Sequence, residues 1–158
     1  MLRRMHEPPW LDADEMRAWR SFIETVGDLI AALDADLQEA GALGLGDYQV
    51  LVYLSEAEGW SLRMCDLAAR LHLSPSGLTR RIDGLVRRGF VVREPCESDR
   101  RVLLARLTEP GHAALAEAAP HHVESIRRHL LTPLSRAQVC ALGEIFSRVG
   151  TALAPPPS

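Results

Sequence analysis

The 158-residue chain has no lysine; all 18 of its basic residues are arginine. Every positive side chain is therefore a planar fork of donors suited to phosphates and guanine edges. Cysteine is scarce and odd in number: Cys65, Cys96 and Cys140 lie far apart. They form no C-x-x-C pair and suggest no disulfide framework. Cys65 and Cys140 read as buried apolar positions. No apolar run approaches the roughly 18–20 residues that a membrane span needs. The opening MLRRMHEPPW is basic but has no apolar stretch behind it, so it does not read as a secretory signal. Cytoplasm is the expected location, with no membrane partner. Catalytic fingerprints are missing too: there is no G-x-S-x-G, P-loop or dinucleotide-binding motif. Carboxylate pairs such as Asp34 and Asp36 fall on different helix faces, a poor arrangement for acid–base work. The expectation is a protein that is not an enzyme and needs no cofactor. His112, His121, His122 and His129 gather without a metal-ligand pattern and read as surface or interface residues.

Composition is ordinary for a globular protein, at 47% hydrophobic and 25% charged. The net charge of −3, taken alone, argues against a nucleic-acid partner. Its distribution says otherwise. Residues 74–106 hold eight arginines against four acids, a local +4 that leaves −7 on the remainder. A basic island in an acidic protein is the footprint of one surface that meets phosphate. The alternative is a solvated charged face.

The ends and the middle of the chain are patterned differently. From Leu11 to Ala40, Met16, Trp19, Ile23, Val26, Ile30, Leu33 and Leu37 step by 3 and 4, a heptad seam. Asp12 or Asp14 can cap that helix and Gly41 can end it. Val123, Ile126 and Leu130, then Val139, Leu142, Phe146, Val149 and Leu153, repeat the theme. Such narrow stripes can pack on each other or pair two chains. A mixture is expected, because so small a domain cannot cover several striped helices, and a two-fold dimer would. In the middle, 44–59 reads as a short helix burying Val50, Leu51 and Leu54. Residues 61–73 read as an extended start and then a helix with Leu67, Ala68 and Leu71 inside. The run SPSGLTRRIDGLVRRG follows, with Ser74 as N-cap, Pro75 at the first helical position and Gly89 as the stop. Leu78, Ile82 and Leu85 make its buried face. Its outward face then shows Ser76, Gly77, Thr79, Arg80 and Asp83, with Arg81 expected there too. GFVV (89–92) and VLLARL (102–107) read as two strands around the turn PCESDRR (95–101).

Helix, turn, helix and hairpin outline a winged helix-turn-helix. In that arrangement the second helix enters the DNA major groove and the hairpin reaches the adjacent minor groove. Ser74, Ser76, Thr79, Arg80 and Arg81 are the candidate contacts from the helix, and Arg100 or Arg101 from the wing. Asp99 would pair with an arginine and hold it outward. The expected fold is mainly α with a small β-hairpin wing (α+β). The winged lobe spans 44–108, 11–40 and 109–153 form a helical dimerisation region, and 1–10 and 154–158 are flexible tails.

The run from Leu71 to Gly111, with S-P-S-G-L-T-R-R, D-R-R in the wing and L-T-x-x-G at its close (Leu107, Thr108, Gly111), resembles the MarR family of bacterial transcription regulators. The resemblance implies an obligate homodimer binding a pseudo-palindrome in double-stranded DNA. Such proteins usually repress and are released by a small ligand or by oxidation. It matches Arg101 to the wing-tip arginine, Asp99 to its partner, and Thr108 to the cap of the helix returning to the dimer core. It also implies a cleft for aromatic anions, for which Trp19, Tyr48, Trp60, Arg63 and Met64 are candidates; packing roles are the alternative, with Trp19 in the core. The peroxide sensors of this family carry a cysteine near the start of the first helix, and this chain has none there. Cys96, beside Arg93, Arg100 and Arg101, is the candidate for a thiol-sensing alternative. A further alternative is a helical dimer that binds another protein.

Overall fold

The computed structural model describes residues 10–41, 43–96 and 99–154. The tails expected at 1–10 and 154–158 lie, apart from Trp10 and Ala154, outside the described residues. The chain opens with α1 (Ala13–Gly41), whose start is capped by Asp12. Asp12 Oδ1 accepts from the amides of Asp14 and Glu15, and the Asp12 amide donates to Glu15 Oε2 at 2.9 Å. This reciprocal pair satisfies donors that a helix start leaves open. Two short helices follow, α2 (Leu45–Ser55) and α3 (Met64–Arg70), joined by a 3₁₀ turn at Glu58–Trp60 and the short strand β1 (Ser61–Arg63). Next come α4 (Pro75–Arg87), β2 (Val91–Pro95) and β3 (Leu103–Leu107). The chain returns through α5 (Glu109–Ile126), a π turn at Arg127–Leu131, and α6 (Arg136–Leu153).

The wing has one strand more than the expected hairpin. β1 pairs antiparallel with β3, placing Ser61 opposite Arg106, so the sheet runs β1-β3-β2. The core lies between this sheet and α2–α4. Val50, Leu51 and Leu54 of α2, Leu67 of α3, and Leu78, Ile82 and Leu85 of α4 meet Val91, Ala105 and Leu107. Leu37 reaches the same core from the end of α1, and Leu115 and Ala118 from α5. Ser74 caps α4 by accepting from the Gly77 amide at 3.1 Å. Gly89, at φ 72°, closes the other end: its amide donates to Val86 O, and that of Phe90 to Leu85 O. Only a residue at ease in the left-handed region makes that pair of bonds cheaply.

The terminal helices are unlike the lobe. Within one chain α6 has no buried residue, although it is 18 residues long and well capped by Ser135 and Gln138. On α1, Leu37 is the one buried residue, and Trp19, expected in the core, is 52% exposed. It lies on a strip where its ring meets Phe22, which in turn meets Phe146 of α6 at 5.8 Å. The heptad seam therefore exists, but this chain alone does not cover it. The same reason corrects Cys140, which is exposed because it rides on α6. Cys65 is exposed as well, since at the first turn of α3 it points away from Leu67 and Ala68. Among the described residues, no helix is long and apolar enough to cross a membrane.

Candidate nucleic-acid interface

α4 is anchored by Leu78, Ile82 and Leu85, each at most 1% exposed, which fixes what its other side presents. Ser74, Ser76, Thr79 and Arg80 are exposed there. The Ser74 and Ser76 hydroxyl oxygens stand 3.2 Å apart. Thr79 turns its hydroxyl back to Pro75 O at 2.8 Å, so it keeps only acceptor capacity for anything outside. Arg81 lies apart from this group: its guanidinium donates to Asp47 of α2 at 3.3 Å.

The wing turn is built by Asp99, though not by gripping an arginine side chain. Asp99 Oδ1 accepts from the backbone amide of Arg101 at 3.0 Å, and Asp99 O accepts from Val102 at 2.9 Å. The Cys96 amide then donates to Val102 O at 2.8 Å. The aspartate thus shapes the turn from which Arg100 and Arg101 project, both exposed. Glu97 and Ser98 lie outside the described residues. Among the described residues, no ion pair engages Arg80, Arg100 or Arg101, whereas Arg81, Arg93 and Arg106 are each paired.

Arg93, which the sequence marked only as a neighbour of Cys96, has a bracing role. From β2 it donates to Asp83 Oδ1 at 2.6 Å and to Thr79 O at 3.0 Å. It thereby ties the wing to α4 and fixes the angle between the two presenting elements. The sequence placed Asp83 on the outward face of the helix and named no partner for it. Only the register of β2 brings them together, and no local pattern marks that.

The five candidate ligand residues do not line one cleft. Trp19 sits on the terminal-helix strip. Tyr48 packs on His122 of α5, ring centres 4.6 Å apart, and burial raises its hydroxyl above the ordinary tyrosine value. Trp60, with φ 57°, stacks flat on His112 at 4.5 Å. Arg63 is exposed at the end of β1, and Met64 is half-buried at the start of α3. Two histidines expected at the surface or an interface thus back aromatic rings. Burial holds the His122 imidazole below its ordinary value, and its Nδ1 is buried without a hydrogen-bond partner. His129 and Ser125 instead bond Asp36 of α1. The Ser125 hydroxyl is the largest reason that this carboxyl sits below its usual range, with His129 next, against some desolvation. Among the described residues, no group of histidine, cysteine, aspartate and glutamate could hold a metal ion.

A helix locked at both ends, with a hydroxyl-lined N-terminal face and a braced wing bearing exposed arginines, defines a winged helix-turn-helix regulator. Residues 43–102 match the MarR family. The chain is 37% identical to Sco3205, a MarR family transcriptional regulator from Streptomyces coelicolor solved in complex with DNA. That match covers 96% of this chain and 94% of that one, with a TM-score of 0.88. AbsC, a MarR family regulator of the same organism, is 40% identical, with coverage of 92% and 98% and a TM-score of 0.84. The HTH-type transcriptional repressor YetL of Bacillus subtilis is 29% identical over 110 residues, covering 68% of this chain and 66% of that protein. The chain belongs to the MarR family of transcriptional regulators.

Proposed function

We propose that the chain acts as a homodimeric repressor that reads a pseudo-palindromic operator in double-stranded DNA. Arg80, with Ser74, Ser76 and Thr79, faces the major groove, and Arg100 and Arg101 face the flanking minor groove. The observation that carries this reading is the pairing pattern: described acids engage Arg81, Arg93 and Arg106 but not the three arginines at the presenting tips. Arginine at a wing tip suits the concentrated negative potential of a narrow minor groove. The DNA-bound Streptomyces relative and the repressor name of the Bacillus one support the same reading. Dimerisation is supported by the terminal helices. Ile30 at 52%, Ile145 at 55% and Phe146 at 46% exposure leave apolar side chains on these helices that a second copy, set by a two-fold axis, would cover. A stoichiometric titration of a duplex from the gene's own upstream region tests both halves at once. Two chains per duplex is the expected endpoint; one chain per duplex would contradict the dimer.

Release by a small aromatic acid is the finer part of the proposal. The Tyr48–His122 contact sits where α2 of the lobe meets α5. The orphaned Nδ1 there would gain a partner from a carboxylate whose ring packs on Tyr48. Benzoate at millimolar concentration should displace the labelled duplex, and Tyr48→Ala should abolish the displacement.

A further inference from the structure

We propose that Asp47 is a specificity determinant of the DNA-reading surface: it withholds Arg81 from the phosphate backbone and so subtracts a contact that any duplex would otherwise supply. This rests on the reading of α4 as the element that enters DNA. Arg81 follows Arg80 directly in α4, and both line one open concavity of about 510 Å³ with Asp47, Gly77 and Gly84. The two arginines share a surface but not a state. No described acid pairs with Arg80, while the Arg81 guanidinium donates to Asp47 Oδ1 at 3.3 Å. Arg88, just past the end of α4, stands 3.9 Å from the other carboxylate oxygen. One carboxylate from α2 thus sits between an arginine of α4 and the arginine that follows its end. Gly46 completes the arrangement. A side chain there would overlap the Arg81 guanidinium, so the position before Asp47 is kept clear for the arginine to lie against α2.

The Arg81–Asp47 pair is neither sealed nor free, its side chains 34% and 27% exposed. An ion pair so wetted contributes little stability. Its consequence is electrostatic. An arginine released onto this face would meet phosphate whatever the base sequence, and such contacts raise affinity for all DNA alike. A regulator is limited by the ratio of operator binding to binding elsewhere, so a withheld arginine sharpens discrimination. The carboxylate also repels any backbone that comes too near.

The test compares duplex from the gene's own upstream region with a scrambled duplex by anisotropy across a salt series. Asp47→Asn keeps the shape and removes the charge. It should tighten scrambled-duplex binding by about three- to tenfold and steepen the salt slope by about 0.9, the increment for one added phosphate contact. Upstream-duplex binding should tighten less, so the ratio falls. Adding Arg81→Gln to that variant should restore the wild-type values. Arg81→Gln alone, which does not depend on the other variant folding, should weaken both duplexes alike through the bared carboxylate but leave the salt slope unchanged, since no phosphate contact is lost. A salt slope shallower by about 0.9 there, or no change or weakened binding in Asp47→Asn, overturns the proposal while wild-type upstream binding leaves the DNA reading in place. Absence of duplex binding by the wild-type protein at low salt would remove the DNA reading, and the proposal with it.

Discussion

A methyl group added at Gly111 would fall on the carbonyl oxygen of Phe90 and within 2.8 Å of Leu107 Cδ1. That gives the L-T-x-x-G pattern a physical cause. Thr108 caps α5 by accepting from the Gly111 amide at 3.1 Å and donates to Gly89 O at 2.7 Å. One threonine and one glycine therefore weld the end of β3 to the stop of α4. Gly111→Ala should lower stability by about 1–3 kcal/mol through overpacking, measured by urea unfolding; an unchanged midpoint would refute the close approach. At the same scale, His122 predicts a pH dependence. Burial holds its folded pKa below the ordinary 6.5, so the unfolded chain takes up a proton at higher pH than the folded one. The stabilising contribution of the neutral ring is complete above about 6.5 and is lost as pH falls through the folded value. His122→Phe should flatten the decline in melting temperature between neutral and mildly acidic pH; an identical decline would show that other groups cause it.

At the scale of the element, the lobe depends on α4 being held at both ends and braced by Arg93. Arg93→Gln should weaken duplex binding several-fold with little change in melting temperature, because it unties β2 from Asp83 and Thr79 O without opening the core. Amide exchange in β2 and β3 should quicken in parallel, and unaltered exchange would separate the wing from this brace. Much of α4 was legible in the sequence. Ser74, Pro75, the Leu78–Ile82–Leu85 face and Gly89 are local signals, and each acts locally. β1 was not legible. Three residues, Ser61–Arg63, become a strand by pairing with Leu104–Arg106, a partner more than 40 positions away. The aspartate of the wing was found, and its bond goes to the Arg101 amide, which the order of residues alone cannot tell from a bond to a guanidinium. Arg81 was likewise placed on the outward face, and only the packing of α2 on α4 shows it held by Asp47.

At the scale of the whole molecule, the heptad spacing of α1 and α6 announced apolar strips, but spacing cannot say whether one chain or two will cover them. Trp19 and Cys140, expected in the interior, are exposed within one chain for that reason. Exposed rings at Trp19, Phe22 and Phe146 form a connected cluster across α1 and α6. Phe146→Glu would place a charge in the middle of it. The expected outcome in sedimentation equilibrium is a shift from twice the chain mass toward the single chain, with duplex binding lost alongside; a variant that still sediments at the doubled mass would move the interface elsewhere. In the proposed dimer, two α4 helices and two wings related by a two-fold axis would face a palindrome together.

The account turns on whether the arginines left without a described partner read DNA. The most direct measurement is fluorescence anisotropy of the wild type and Arg101→Ala on the upstream duplex and a scrambled one across a salt series. The account predicts tight, sequence-dependent, salt-sensitive binding by the wild type. It predicts a loss of about 1–3 kcal/mol in Arg101→Ala, with an unchanged melting temperature. Equal affinity of the two proteins for the upstream duplex, or no binding by either at low salt, would contradict it.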